Sequence, residues 1–152
     1  MINRLSAVLS IILLGSLCTY THSDNLVFHL DLNDSNLVYL GSHAQSNTNL
    51  YYSRKSVRPD PGQPPNSGGL TVAMIMDHKD YKKNPAGIFY NRDIAQYSVN
   101  CSSNSYSAYK IFFLQDHRVV HEFQNPSLYW KVIDPKSSLD RIMQKMVNQI
   151  CS

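Results

Sequence analysis

Apolar and polar residues alternate with period two along most of the chain, in short runs broken by turn residues. Leu26-Val27-Phe28-His29-Leu30, Asn36-Leu37-Val38-Tyr39-Leu40 and Asn49-Leu50-Tyr51-Tyr52-Ser53 read as strands, and residues 70–76 form the strongest run. Residues 94–101, 105–114 and 118–123 and Trp130-Lys131-Val132 continue the pattern. These runs are rich in Val, Ile, Tyr and Phe, which pack well on a pleated, half-buried surface. Gln115-Asp116-His117 predicts a tight hairpin turn, and Asn125-Pro126-Ser127 breaks the next pair.

The period changes near the C-terminus. Leu139, Ile142, Met143, Met146, Val147, Ile150 and Cys151 fall at helical spacing and form one apolar stripe. Arg141, Gln144, Lys145, Asn148 and Gln149 occupy the other face. Ser137 followed by Asp140 predicts a capping box with Asp in place of Glu. The expected fold class is therefore α+β, with a helix over residues 138–151 packed on a sheet.

Residues 58–69 interrupt the strands. They hold four of the seven prolines and three of the six glycines, so they read as a loop. A loop of that length is mobile or functional in a compact domain.

The N-terminus reads as an export signal, residues 1–23, followed by one domain, residues 24–152. Arg4 precedes an apolar run too short to span a bilayer, and polar residues follow at once. Cleavage fits after Ser23 or after Cys18. Gly15-Ser16-Leu17-Cys18 also resembles a lipobox, which makes Cys18 a candidate lipidation site and the only expected membrane attachment. In each case Cys101 and Cys151 remain as an even pair in an oxidising compartment, and a disulfide between them is expected. Such a bond closes a loop of about 50 residues, worth about 4 kcal/mol by chain entropy.

Charge and chemistry narrow the function. The formal net charge is +3 with Arg4 and +2 without it, which is not the balance of a nucleic-acid binder. His117 and His121 have metal-ligand spacing only on a helix; on a strand they stand about 13 Å apart. No metal and no cofactor are expected. Asp77-His78-Lys79-Asp80 reads as a solvated loop after the strongest strand, and a general base at His78 is the alternative. No serine elbow, free cysteine or paired carboxylates accompany it. With Cys101 and Cys151 oxidised together, a catalytic cysteine is not expected, and the chain reads as non-enzymatic.

Ten tyrosines are the remaining excess. Exposed tyrosine combines a rigid apolar body with a polar tip and favours interfaces. The candidate binding surface comprises Tyr51, Tyr52, Arg54, Lys55, Lys82 and Lys83, although alternation turns one of the two tyrosines inward.

Several of these segments, in order, resemble the bacterial surface-adhesin protein E-like domain. They are Leu37-Val38-Tyr39-Leu40-Gly41, Tyr51-Tyr52 followed by Ser56-Val57, Asn100-Cys101, the lead-in Trp130-Lys131-Val132-Ile133-Asp134-Pro135-Lys136-Ser137-Ser138, and Ile150-Cys151. The resemblance runs from about Leu37 to Cys151. Asn36-Leu37 stands where such domains often open on an aromatic, and the loop over residues 58–69 is longer than usual.

The resemblance implies a curved antiparallel sheet covered by the C-terminal helix and held by the Cys101–Cys151 bond. It also implies an exported protein, at the outer membrane surface, in the periplasm or secreted, that binds a host matrix or serum protein. A sheet edge is the physical means, and the same edge offers a homodimer. The alternatives are a periplasmic structural or stress-related envelope protein with no host ligand, and a small hydrolase using His78.

Overall fold

The turn signal at residues 115–117 joins two strands that pair with each other, the one at 125–127 separates two strands that both pair with the strand Ser105–Gln115, and the pairing is antiparallel throughout. The computed structural model describes residues 33–64, 66–125 and 129–152. The expected signal, Cys18 and the strand expected at residues 26–30 lie outside the described residues. The strands are β1 (Leu37–His43), β2 (Thr48–Ser53), β3 (Arg58–Pro59), β4 (Gly69–Lys83), β5 (Phe89–Asn100), β6 (Ser105–Gln115), β7 (Arg118–Gln124) and β8 (Lys131–Val132). The helix α1 (Ser138–Ile150) follows. Spatial order is β1-β2-β4-β5-β6-β7, with β3 added beside β4 and β8 beside β6. The architecture is the expected α+β class.

Register assigns the two faces. Leu50 lies opposite Met76 and Tyr52 opposite Met74, while Met74 faces Ala95 and Val72 faces Tyr97 across the next pair. These residues point toward α1, whose Met143, Met146 and Val147 are buried against them. Burying those three side chains contributes roughly 5–9 kcal/mol in transfer terms, an upper value. The other face carries a smaller cluster of Phe112, Leu114 and Val119 packed with Ile94.

One half of the predicted capping box forms. Ser137 Oγ accepts a hydrogen bond from the Asp140 backbone N–H at 3.3 Å. The Asp140 carboxylate does not reach back to Ser137. It is fully buried under the helix, accepting from Tyr106 Oη at 2.9 Å, Lys131 Nζ at 2.7 Å and the Asp134 N–H at 3.0 Å. Burial pushes this carboxyl up, but those hydrogen bonds outweigh it and hold it below the usual carboxylate range. Asp140 therefore ties α1 to β6, to β8 and to the segment that leads into the helix.

Cys101 and Cys151 form the expected disulfide, with Cα atoms 5.7 Å apart across 50 residues. Cys151 caps α1 and Cys101 follows the last residue of β5. The Pro-rich segment is pinned to the sheet. Asp60 accepts from Ser98 Oγ at 2.6 Å and from the Gly62 N–H at 2.8 Å, and Gln63 bonds to Asn100 Nδ2 and the Val99 carbonyl. Gly69 leaves room for Gln63, since a Cβ there would lie 2.5 Å from its side chain.

The expectation of a solvated loop at residues 77–80 is corrected. β4 runs on to Lys83 because the first half of β5 supplies partners, with Asp77 opposite Arg92 and Lys82 opposite Tyr90. Among the described residues, no helix is long and apolar enough to cross a membrane.

Candidate functional site

Alternation along β2 turns Leu50 and Tyr52 inward and Tyr51 outward, onto the face away from α1. Tyr51 lies opposite Tyr39 of β1, and the two rings stand 5.2 Å apart, tilted by 51°. Such a pair is worth about 0.5–1.5 kcal/mol beyond its buried area. Tyr39 is 50% exposed. Its hydroxyl contacts Ser42 Oγ at 2.6 Å, and Ser42 in turn donates to Asn49 Oδ1 at 2.6 Å. Ser42 has one proton and gives it to Asn49, so Tyr39 is the donor to Ser42. Burial raises the Tyr51 phenol above its ordinary range, and the nearby Asp77 carboxylate adds to the shift. Tyr51 thus remains a neutral donor at physiological pH.

The turn Arg54–Ser56 follows β2 and carries two exposed cations three and four residues beyond Tyr51. Lys55 lies 3.8 Å from Asp34, with both side chains largely in solvent, so the contact contributes little. Among the described residues β1 is an edge strand, and its free side offers backbone groups to another chain. Tyr39 and Tyr51 therefore form an aromatic pair next to the edge strand of the described sheet, and Arg54 and Lys55 follow at the end of β2.

The sequence-derived surface splits into three places. Tyr51 belongs to this pair, and Arg54 and Lys55 follow it along the chain. Tyr52 is only 4% exposed and packs in the core, so it is removed from the binding surface. Lys82 and Lys83 sit at the far end of β4, on the order of 20 Å along the strand from Tyr51. There the Lys83 ammonium stands 5.2 Å from the centre of the Phe89 ring. Tyr39 belongs to the pair and was not singled out from sequence; its place in an alternating run directly opposite Tyr51 was the available signal.

His78 is not in a solvated loop. Its side chain is 8% exposed, and its Nε2 lies 2.8 Å from Asp93 Oδ2. Its Nδ1 lies 2.7 Å from Thr48 Oγ1, and Thr48 also donates to the Ser46 carbonyl at 2.9 Å. With the Thr48 proton given to Ser46, Nδ1 must carry a proton and donate to Thr48. His78 and Asp93 then share a single remaining proton. Burial pushes the Asp93 carboxyl up, against the pull of His78. Tyr90 stands edge-on to His78 at 5.3 Å and shields it. Thr48 is itself buried, so this Thr–His–Asp line holds three strands together and offers no exposed nucleophile. His117 lies in the β6–β7 turn and His121 stacks near Phe113 on β7. Among the described residues, no three His, Cys, Asp or Glu side chains cluster as metal ligands.

With this architecture in hand, solved structures provide the comparison. The fold resembles that of protein E from Haemophilus influenzae. One structure of that protein superposes with a TM-score of 0.54 at 11% identity, covering 83% of this chain and 92% of the other. A second, from a non-typeable strain, gives 0.53 at 13% identity, covering 82% of each chain. At such identity the relation to protein E is one of fold. No protein-family model and no curated protein sequence match the chain.

Proposed function

We propose that this chain is an exported, surface-displayed bacterial module that binds a host matrix or serum protein and has no catalytic role. The observation that carries the reading is the Tyr39–Tyr51 pair, with Arg54 and Lys55 following along the chain, next to a β1 edge that has no strand neighbour among the described residues. A rigid aromatic anchor, a basic rim and a strand edge with no neighbour among the described residues are the parts that strand-addition binding uses. The protein E-like fold and the family resemblance of the scaffold segments support the same reading.

Capture on immobilised matrix and serum proteins tests it. The intact chain should retain a partner, and Tyr39→Ala with Tyr51→Ala should weaken retention at least tenfold while leaving the circular dichroism unchanged. Protease treatment of whole cells should release the protein. Protection from the protease together with empty capture would instead indicate a periplasmic structural role.

A further inference from the structure

The outer face holds a second feature two residues along β4 from the partner of Tyr51. A cavity of about 290 Å³ lies there, lined by Ser56, Arg58, Thr71, Ala73, Gln96 and Tyr109, with Val72 at its base. It forms where the neighbour of β4 changes from β2 to β3. Tyr52 pairs with Met74 and Arg58 with Thr71, and between them Ser56 Oγ accepts from the Ala73 N–H at 2.8 Å.

Two observations make this more than a gap. The first is a bulge in β6. Tyr97 pairs with Ala108 and Gln96 with Lys110, so Tyr109 is an extra residue with no partner across the ladder. A bulge re-aims a side chain, and here that side chain lines the cavity. The second is polar chemistry without partners. The side chains of Arg58, Thr71, Gln96 and Tyr109 make no hydrogen bond or ion pair to another described residue. Ser56 is different, with its hydroxyl engaged by Ala73 and the Ser53 carbonyl.

Four unengaged polar groups therefore converge on one recess, and the only charge among its lining residues is the guanidinium of Arg58. Two further charges lie near the lining. Lys110 is paired with Glu122 at 2.9 Å, whereas Asp60, held by the neutral donors Ser98, Gln63 and Gly62, stays an anion whose field reaches Tyr109, so Arg58 must outweigh it. A guanidinium fork with hydroxyl and amide donors suits a carboxylate. The volume lies just under the lower limit for ligand pockets, about 300 Å³, which suits one inserted side chain better than a sugar chain.

We propose that this cavity is the anchor site for a single acidic side chain of the protein partner. Arg58 pairs with the carboxylate, Gln96 and Thr71 donate to it, and the Tyr109 ring walls the stem. The cavity and the Tyr39–Tyr51 patch then form one continuous interface. This inference rests on the reading of the chain as a protein-binding module.

NMR titration of the disulfide-bonded chain with N-acetylglutamate α-amide tests it. Shifts should concentrate at Arg58, Thr71, Gln96 and Tyr109, and the glutamine analogue should give none. Arg58→Gln, at an exposed side chain with no partner to lose, should weaken the probe at least tenfold, and Thr71→Val, which removes one donor, about fivefold. No saturable shift, shifts scattered over surface lysines, or tighter binding of glucuronate than of the glutamate probe would overturn the assignment. The titration needs no partner, so its failure strikes the pocket alone, whereas empty capture strikes the broader reading.

Discussion

Replacing Asp140 by Asn tests whether the buried carboxylate, and not its ion pair, locks the helix. The carboxylate accepts three donors while fully buried. Lys131 is 46% exposed, so its share is screened and is worth below about 1 kcal/mol. The bonds from Tyr106 and from the Asp134 N–H are the costly ones. An amide has one acceptor oxygen, and its NH₂ would face one of those donors. A bond to a charged acceptor is worth about 1.5–3 kcal/mol, and losing one here leaves its donor buried and facing an NH₂, so Asp140→Asn should cost about 3 kcal/mol, the upper end of that range. Lys131→Met should cost less than about 1 kcal/mol.

For a fold of this size each kcal/mol lowers the Tm by about 4 °C, which gives drops of about 12 °C and at most 4 °C. The pH dependence supplies a second readout. The Asp140 carboxyl lies below its unfolded value of 3.8, so its contribution is present above that pH and is lost as pH falls through the folded value. The gap between wild type and Asp140→Asn should therefore narrow as pH is lowered from about 5 toward 2. Urea melts followed by circular dichroism, with the disulfide intact, measure both effects. Equal losses from the two variants, or a gap that does not narrow in acid, would refute the reasoning.

Three further outcomes are expected. Reducing the Cys101–Cys151 bond, or replacing both cysteines by Ser, should cost about 4 kcal/mol of stability in urea melts, given the 50-residue separation. Burial raises the Asp93 carboxyl above 3.8, so the stability it contributes is full below that pH and is lost as pH rises through the folded value; Asp93→Asn should flatten that fall in pH-dependent melts. Gly69→Ala should push Gln63 off the sheet, and brief proteinase K digestion should then cut within residues 60–68 faster than in wild type.

The strands and helix were legible because their periods are clean. The stripe from Leu139 to Cys151 and the alternation of residues 70–76 both read directly as elements packed on a core. The second half of β4 was hidden because Asp77, His78, Lys79 and Asp80 look like solvent-facing residues. Only pairing with β5 brings Asp93 to His78 and Arg92 to Asp77. Asp140 was read as a cap because local spacing carries no information about Tyr106, 34 residues earlier in the chain. The patch was half visible for the same reason. Tyr51 lay in a marked pair, whereas Tyr39 joins it through strand register. The Tyr109 bulge is a mismatch between two strands, which neither strand shows alone.

The order β1-β2-β4-β5-β6-β7 has a kinetic consequence. Nearly every strand pairs with its neighbour in sequence, so the sheet can grow hairpin by hairpin with short loop closures and little entropic delay. The docking of α1 on β1 is different: Ser138 meets His43 across 95 residues, and Lys145 meets the Leu40 carbonyl across 105. Their long separations lead us to expect that they form after the sheet that receives them, on the late side of the folding barrier. Weakening them should leave the refolding rate nearly unchanged and speed unfolding, so the lifetime of the folded state is set at the seam between the first strand and the last helix.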